Sequence, residues 1–242
     1  MRRQLSVLVL AAVGATTLSA CGMAFASTFE DDAPLNGRIT AVQIDDIDSG
    51  KVTLRGGASK ASLSRSVEYR GDKPSEQTHR VENGVLKLRG CGDRCSVDYT
   101  VDLPGVLPVS GATDSGSIKL SKVGAVNVST DSGSIRLDDV TGPVKAKTDN
   151  GKIEGRALKG DGVDARTDNG KVTLELAKPQ NVRAVTSNGD VSVTVPPGPA
   201  RYRVSARADN GDRKIGIRDD ASGSHRLDVT TDNGDITIKP AA

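Results

Sequence analysis

Aromatic side chains are scarce in this chain of 242 residues. There is no Trp, Phe occurs only at Phe25 and Phe29, and Tyr only at Tyr69, Tyr99 and Tyr202. A core without large rings must be filled by Val, Ile, Leu and Ala, which suits narrow layers with room for a few small side chains. It also disfavours the aromatic platforms common in sugar sites. Histidine is almost as rare. His79 and His225 each sit among polar neighbours, in Thr78-His79-Arg80 and Ser224-His225-Arg226, and both read as surface residues. No nucleophile-elbow sequence gives a Ser/His/Asp triad a place, and no G-x-x-x-x-G-K-[ST] phosphate loop is present, so no cofactor is expected. Neither sign of charge is in large excess: 33 Lys and Arg stand against 31 Asp and Glu, a net +2. With no basic run, nucleic acid is not an expected partner.

The apolar stretch from Leu5 to Leu18 follows Arg2 and Arg3 and ends in Leu18-Ser19-Ala20-Cys21. A positive start, a short apolar centre and a small-residue cut site define a secretory signal, and the stretch is too short for a comfortable membrane span. The ending resembles the bacterial lipobox, which implies cleavage before Cys21, lipidation of its thiol and a lipid anchor in the membrane. An ordinary signal peptide with an incidental cysteine is the alternative. Loss of Arg2 and Arg3 brings the formal charge from +2 to 0. The expected organisation is a signal over 1–20, a lipidated tether over 21–36 and one domain over 37–242. Within that domain, 37–110 is an irregular part and 111–242 a regular one.

Cys91 and Cys95 remain, in Gly90-Cys91-Gly92-Asp93-Arg94-Cys95. An exported chain permits a disulfide, and two cysteines make only one. A zinc site is the sharper alternative, but two thiolates without a nearby His leave zinc two ligands short. A redox pair would favour C-x-x-C spacing.

A phrase, Thr-Asp-Ser/Asn-Gly-x-Ile/Val, returns along the second half: Thr113–Ile118, Thr130–Ile135, Thr148–Ile153, Thr167–Val172 and Thr231–Ile236, with looser copies at 186–191 and 208–213. Its glycines are Gly116, Gly133, Gly151, Gly170, Gly189, Gly211 and Gly234, in steps of 17, 18, 19, 19, 22 and 23 residues. Apolar pairs at period two flank each copy, such as Val126 and Val128 before and Ile135 and Leu137 after. Period two marks half-buried strands, and Gly155 weakens the strand that Ile153 begins. Val42 and Ile44, Asp48-Ser49-Gly50, then Val52 and Leu54 form an earlier, degenerate copy. Ser96 to Pro104 alternates cleanly, with Val97, Tyr99, Val101 and Leu103 expected inside. No helical periodicity follows the leader. The pattern predicts an all-β chain, a β-solenoid of ~17–23-residue repeats whose coils bury their apolar faces against one another. Because Asn-Gly between alternating strands is also the strongest hairpin signal, an antiparallel meander or sandwich is the alternative.

This array resembles the putative-adhesin family of bacterial surface proteins with β-strand repeats. The lead-in Cys95-Ser96-Val97-Asp98-Tyr99-Thr100-Val101-Asp102-Leu103-Pro104 is similar to that of its actinobacterial members. The resemblance runs from about Arg38 to Pro240. It implies a β-solenoid-like fold and an exported, often membrane-anchored location, and it brings no catalytic residues.

Asp114, Asp131, Asp149, Asp168, Asp209 and Asp232 would form a row on stacked coils, interrupted by Ser187. Such a row has the hard oxygens that Ca²⁺ uses. Turn chemistry explains it more simply, since Asp and Asn bond turn amides and Gly supplies positive φ. Paired carboxylates also belong to polysaccharide-cleaving enzymes, the rival class. The reading carried forward is a non-catalytic lipoprotein on the outer face of the cytoplasmic membrane. It would act as an adhesin-like binding or scaffold module, with an envelope protein or glycan as ligand. An accessory or sensor module for a membrane signalling partner is a third class.

Overall fold

The computed structural model describes residues 26–75 and 77–241; the leader, Cys21, Phe25 and Glu76 lie outside that range. The first third of the chain forms β1 (Ser27–Ala33), β2 (Ala41–Ser49), β3 (Val52–Arg55), β4 (Ser62–Tyr69), β5 (His79–Glu82), β6 (Val85–Arg89) and β7 (Cys95–Asp102). The middle alternates longer and shorter strands: β8 (Val109–Ser115), β9 (Ile118–Ser121), β10 (Val126–Ser132), β11 (Ile135–Asp138), β12 (Val144–Asn150), β13 (Ile153–Leu158), β14 (Gly162–Asn169), β15 (Val172–Leu176), β16 (Asn181–Asn188) and β17 (Val191–Val195). The end adds β18 (Tyr202–Asn210), β19 (Arg213–Ile215), β20 (His225–Asn233) and β21 (Ile236–Pro240). Among the described residues there is no helix.

These strands make two long sheets. One has the order β18-β20-β16-β14-β12-β10-β8-β2-β6-β5, the other β1-β4-β7-β3-β9-β11-β13-β15-β17-β21-β19. Each turn of the repeated phrase carries the chain from the first sheet to the second, and a loop returns it one rung further on. From β8 onward the neighbouring strands of each sheet are parallel, as in Val126↔Val144, Val144↔Val163 and Val163↔Val182, whereas β4 runs antiparallel to β7. This is a β-solenoid. The antiparallel alternative fails for the repeats, although an Asn-Gly hairpin does occur: Asn83 (φ 50) and Gly84 (φ 80) join β5 to β6. The hairpin dipeptide needs both residues at positive φ, and Asn150-Gly151, in the array, does not adopt it.

The stack does not follow chain order at its ends. β20 pairs with β16 on one side and β18 on the other, and β21 likewise lies between β17 and β19. The last coil of the sequence is therefore inside, and the preceding coil is the outer one. At the other end, the coil of β2 and β3 packs between that of β8 and β9 and that of β6 and β7. The reversal corrects one expectation: Asp232, not Asp209, follows Ser187 in the row. β19 is an edge strand, and Ile215 is 38% exposed.

Inward residues of both sheets merge into one core of Val, Ile, Leu and Ala, with Tyr99 and Tyr202 as its largest members. Val97, Tyr99, Val101 and Leu103 are all buried. The strand holding Gly155 bulges: the register of β13 against β15 shifts between Gly155 and Leu158. The fold also begins earlier than the tether assignment over 21–36 allowed. Residues 27–33 form β1, paired antiparallel with β4. Phe29 meets the Tyr69 ring edge-on at 6.0 Å. The alternation was hidden because Asp31, a carboxylate, occupies a position on the packed side.

Candidate functional surface

Each residue of the repeated phrase has a separate task in the turn. Thr is the last inward-facing residue of its strand and is buried in every coil from Thr113 to Thr186 and at Thr231. Its hydroxyl donates to the turn glycine of the neighbouring coil: Thr130 to Gly116 O at 3.0 Å, Thr148 to Gly133 O, Thr167 to Gly151 O, Thr186 to Gly170 O and Thr231 to Gly189 O, each at 2.9 Å. A buried carbonyl needs such a partner. The glycine N–H is satisfied from the other direction, as in Gly151 N to Asn169 O at 3.0 Å. The ladder of the sheets thus continues around the corner.

Asn builds a second ladder outside the turn. Asn169 donates to Asn150, Asn188 to Asn169 and Asn233 to Asn188 at 3.0 Å, and Asn210 to Asn233 at 3.1 Å. The glycine is required by space more than by φ. Gly116, Gly133, Gly151 and Gly170 are not at positive φ. A Cβ on Gly151 would lie 2.0 Å from Gly133 O, and the same approach recurs at Gly189 and Gly234. Gly211 packs on Gly234 in the same way. The sequence reading assigned the glycines to turn conformation; close backbone approach between coils is the stronger constraint.

The Asp of the phrase faces outward. Asp149 takes Lys147 at 2.9 Å and Asp209 takes Arg207 at 2.8 Å. Lys147 is held above its ordinary pKa, first by the hydrogen bond to Asp149 and also by the charges of Asp149, Asp168 and Asp131. Among the described residues no group of three His, Cys, Asp or Glu side chains is placed to hold a metal ion.

The coil of β6 and β7 lacks the Thr-x-Asn-Gly corner. Its crossing between sheets is closed by a disulfide between Cys91 and Cys95, with the Cα atoms 5.7 Å apart. Beyond it lies a polar clasp that sequence reading missed. The Tyr99 hydroxyl sits 2.6 Å from Thr78 O and 2.8 Å from Arg89 O. Burial pushes its pKa up to about 12. Arg65 binds Asp31 through two nitrogens, at 2.6 and 2.8 Å, and donates to Thr78 Oγ1 at 2.6 Å. Its hydrogen bond holds Asp31 below the usual carboxylate value. His79, read from sequence as a surface residue, is 8% exposed, and its Nδ1 has no partner. Burial, then the Arg65 charge, lowers its pKa. His79 lies on β5, the end strand of the ten-stranded sheet, in register with the buried Leu88 of β6. The clasp ties β1 and β5 to the stack.

Outward rows run the length of both sheets. On the ten-stranded sheet Lys145, Asp164, Arg183 and Asp228 are successive partners in register. They border two adjoining hollows that share Pro143 and Val144, one continuing past Val163 and Val182 and the other toward Val126 and Val109. Asp164 is held by Arg166 at 2.7 Å and Asp228 by Arg226 at 3.6 Å.

Such a molecule is a two-sheet parallel β-solenoid whose repeated residues serve the stacking of its own coils. A comparison with protein families gives a match to Toastrack DUF4097 over residues 108–239, just over half of the chain, and the chain belongs to that family. Residues before 108 continue the same two sheets. Among solved structures, a putative adhesin from Bacteroides fragilis is 14% identical, with 89% of this chain and 97% of that chain covered and a TM-score of 0.42. A putative lipid binding protein from Parabacteroides distasonis is 13% identical over 89% and 97%, with a TM-score of 0.46. A putative adhesin from Parabacteroides merdae is 10% identical over 90% and 96%, with a TM-score of 0.43. A comparison with curated proteins gives no match.

Proposed function

We propose that this Toastrack protein is an exported lipoprotein of the cell envelope, of actinobacterial type. It is anchored through Cys21 on the outer face of the cytoplasmic membrane and works without catalysis as a binding or scaffold module. The observation that carries this reading is the use made of the repeated phrase. Its Thr hydroxyls, Asn amides and glycine backbones are all engaged in holding coil to coil. What remains outward is a periodic surface, with Lys145, Asp164, Arg183 and Asp228 advancing about 4.8 Å per coil beside a shallow apolar strip. A rail of that kind suits an extended envelope ligand, a glycan strand or a protein segment, laid along the stack.

The test is crosslinking of the full chain in intact cells, followed by identification of what is captured. The Lys145→Glu, Arg183→Glu double variant should fold as the parent does and lose its envelope ligand. Mass spectrometry should find a lipid on Cys21, and Cys21→Ala should move the protein out of the membrane fraction, since stable anchoring needs more than one acyl chain. Release of soluble sugar fragments from envelope polysaccharide by the purified protein would overturn the non-catalytic reading in favour of an enzyme. An unlipidated wild-type chain would overturn the anchor.

A further inference from the structure

The dipeptide Asn-Gly occurs seven times in the chain: at Asn36, at Asn83, and at the five Asn residues of the corner ladder, Asn150, Asn169, Asn188, Asn210 and Asn233. Asn-Gly is the dipeptide most open to spontaneous loss of the side-chain amide. The glycine nitrogen attacks Cγ of the Asn, a C–N bond forms, the Cγ–Nδ2 bond breaks, and ammonia leaves with the proton of the glycine N–H. Water then opens the five-membered imide at either carbonyl, giving Asp or its β-linked isomer. The reaction needs a glycine N–H that is not held elsewhere, an Asn side chain free to turn toward it, and no Cβ in the way.

The fold treats these pairs unequally. In the inner coils both reacting groups are engaged. Gly151 N donates to Asn169 O at 3.0 Å, Gly170 N to Asn188 O at 2.9 Å, Gly189 N to Asn233 O at 2.8 Å and Gly234 N to Asn210 O at 2.9 Å. The side-chain amides of Asn150, Asn169, Asn188 and Asn233 bond one another along the ladder at 3.0 Å. Asn210, in the outer coil, keeps only the side-chain half of this protection. Asn83 is exposed, but its turn is pinned, since Gly84 O accepts from Thr40 N at 2.8 Å and from Thr40 Oγ1 at 3.1 Å. Asn36 and Gly37 are both exposed in the link between β1 and β2, and neither makes a hydrogen bond among the described residues. A Cβ on Gly37 would meet nothing within 4 Å, so the segment has room to turn.

We infer that Asn36 is a modification site, converted to Asp and its β-linked isomer by attack of Gly37 N, while the ladder keeps Asn150, Asn169, Asn188 and Asn233 intact. The ladder thus has a chemical task beside its structural one: it shields the corners from a reaction to which their own sequence exposes them. Conversion adds a negative charge to the link between β1 and β2 and, in the β-linked isomer, one further backbone carbon. The inference rests on neither the anchor nor the rail.

The test is timed incubation of the purified protein at mildly alkaline pH, followed by digestion and mass spectrometry of each Asn-Gly peptide. Asn36→Asp supplies the marker for one product, and the isomer elutes apart from it at the same mass. In the folded chain Asn36 should convert about tenfold or more faster than each of the four inner ladder residues, because a corner must open before it can react. In denaturant, where no ladder exists, all the pairs should convert at similar rates. Gly37→Ala should slow conversion at Asn36 and leave the other pairs as in the parent. Ladder residues that convert as fast as Asn36 in the folded chain would overturn the inference, as would the same difference persisting in denaturant.

Discussion

Thr148 reaches across 15 residues of sequence to donate its buried hydroxyl to Gly133 O at 2.9 Å. The contact joins two coils at the corner where the chain passes between sheets. Thr148→Val keeps the shape and removes the donor, leaving the Gly133 carbonyl unsatisfied. The expected loss is about 1–3 kcal/mol, read from the denaturant midpoint. Thr148→Ser should recover part of it.

Leu174 is fully buried in a middle coil, while Lys171 is exposed and lies 3.6 Å from Asp190. Leu174→Ala should cost about 2–5 kcal/mol through lost burial and a cavity. Lys171→Ala should stay within about 0.5 kcal/mol. Because each coil is stabilised by its neighbours, hydrogen exchange in the Leu174 variant should quicken first in β13, β15 and β17.

The clasp at the other end responds to acid. The pKa of buried His79 is held below 6.5, and Arg65 holds that of Asp31 below 3.8. Both groups bind fewer protons in the folded chain than in the unfolded one, so their contribution is complete above about pH 6.5 and falls with pH. The first loss runs downward from pH 6.5 through the lowered His79 value, and the second from pH 3.8 through the lowered Asp31 value. Protection of the amides in β1 and β5, taken relative to their intrinsic exchange rates, should therefore fall as the pH is lowered below 6.5 while the central coils stay protected. His79→Gln should flatten the upper step and leave the lower.

The disulfide closes a loop whose cysteines are four residues apart. So short a loop constrains the unfolded chain less than the roughly 3 kcal/mol expected of a 15-residue one. Reduction should loosen the coil of β6 and β7 without unfolding the array, as followed by exchange at β7 against β14.

Much of the stack was legible because period-two alternation and a recurring corner are local signals. Ile135 with Leu137 and Val172 with Leu174 are inside, as their spacing implies. Chain order misled where pairing is a matter of free space. Nothing local to Ala208-Asp209-Asn210-Gly211 says that a later coil will slide beneath it, although Ala in place of Thr and the exposed Arg213 and Lys214 suit an outer edge. The clasp was hidden for a different reason. Arg65, Thr78, Asp31 and His79 are polar residues whose burial depends on partners far away in sequence, and hydrophobic patterning registers none of them.

The central claim is that the repeated glycine is set by the approach of one coil to the next. The most direct measurement compares Gly151→Ala with Gly162→Ala by chemical denaturation. At Gly151 a Cβ would lie 2.0 Å from Gly133 O, whereas at Gly162 the nearest atom, Asn181 O, would be 3.6 Å away. Neither residue is at positive φ, so backbone strain does not separate them. The account predicts a loss of about 3 kcal/mol or more for Gly151→Ala, at or beyond the upper end of ordinary overpacking, and a change within about 0.5 kcal/mol for Gly162→Ala. Equal midpoints for the two variants would contradict it.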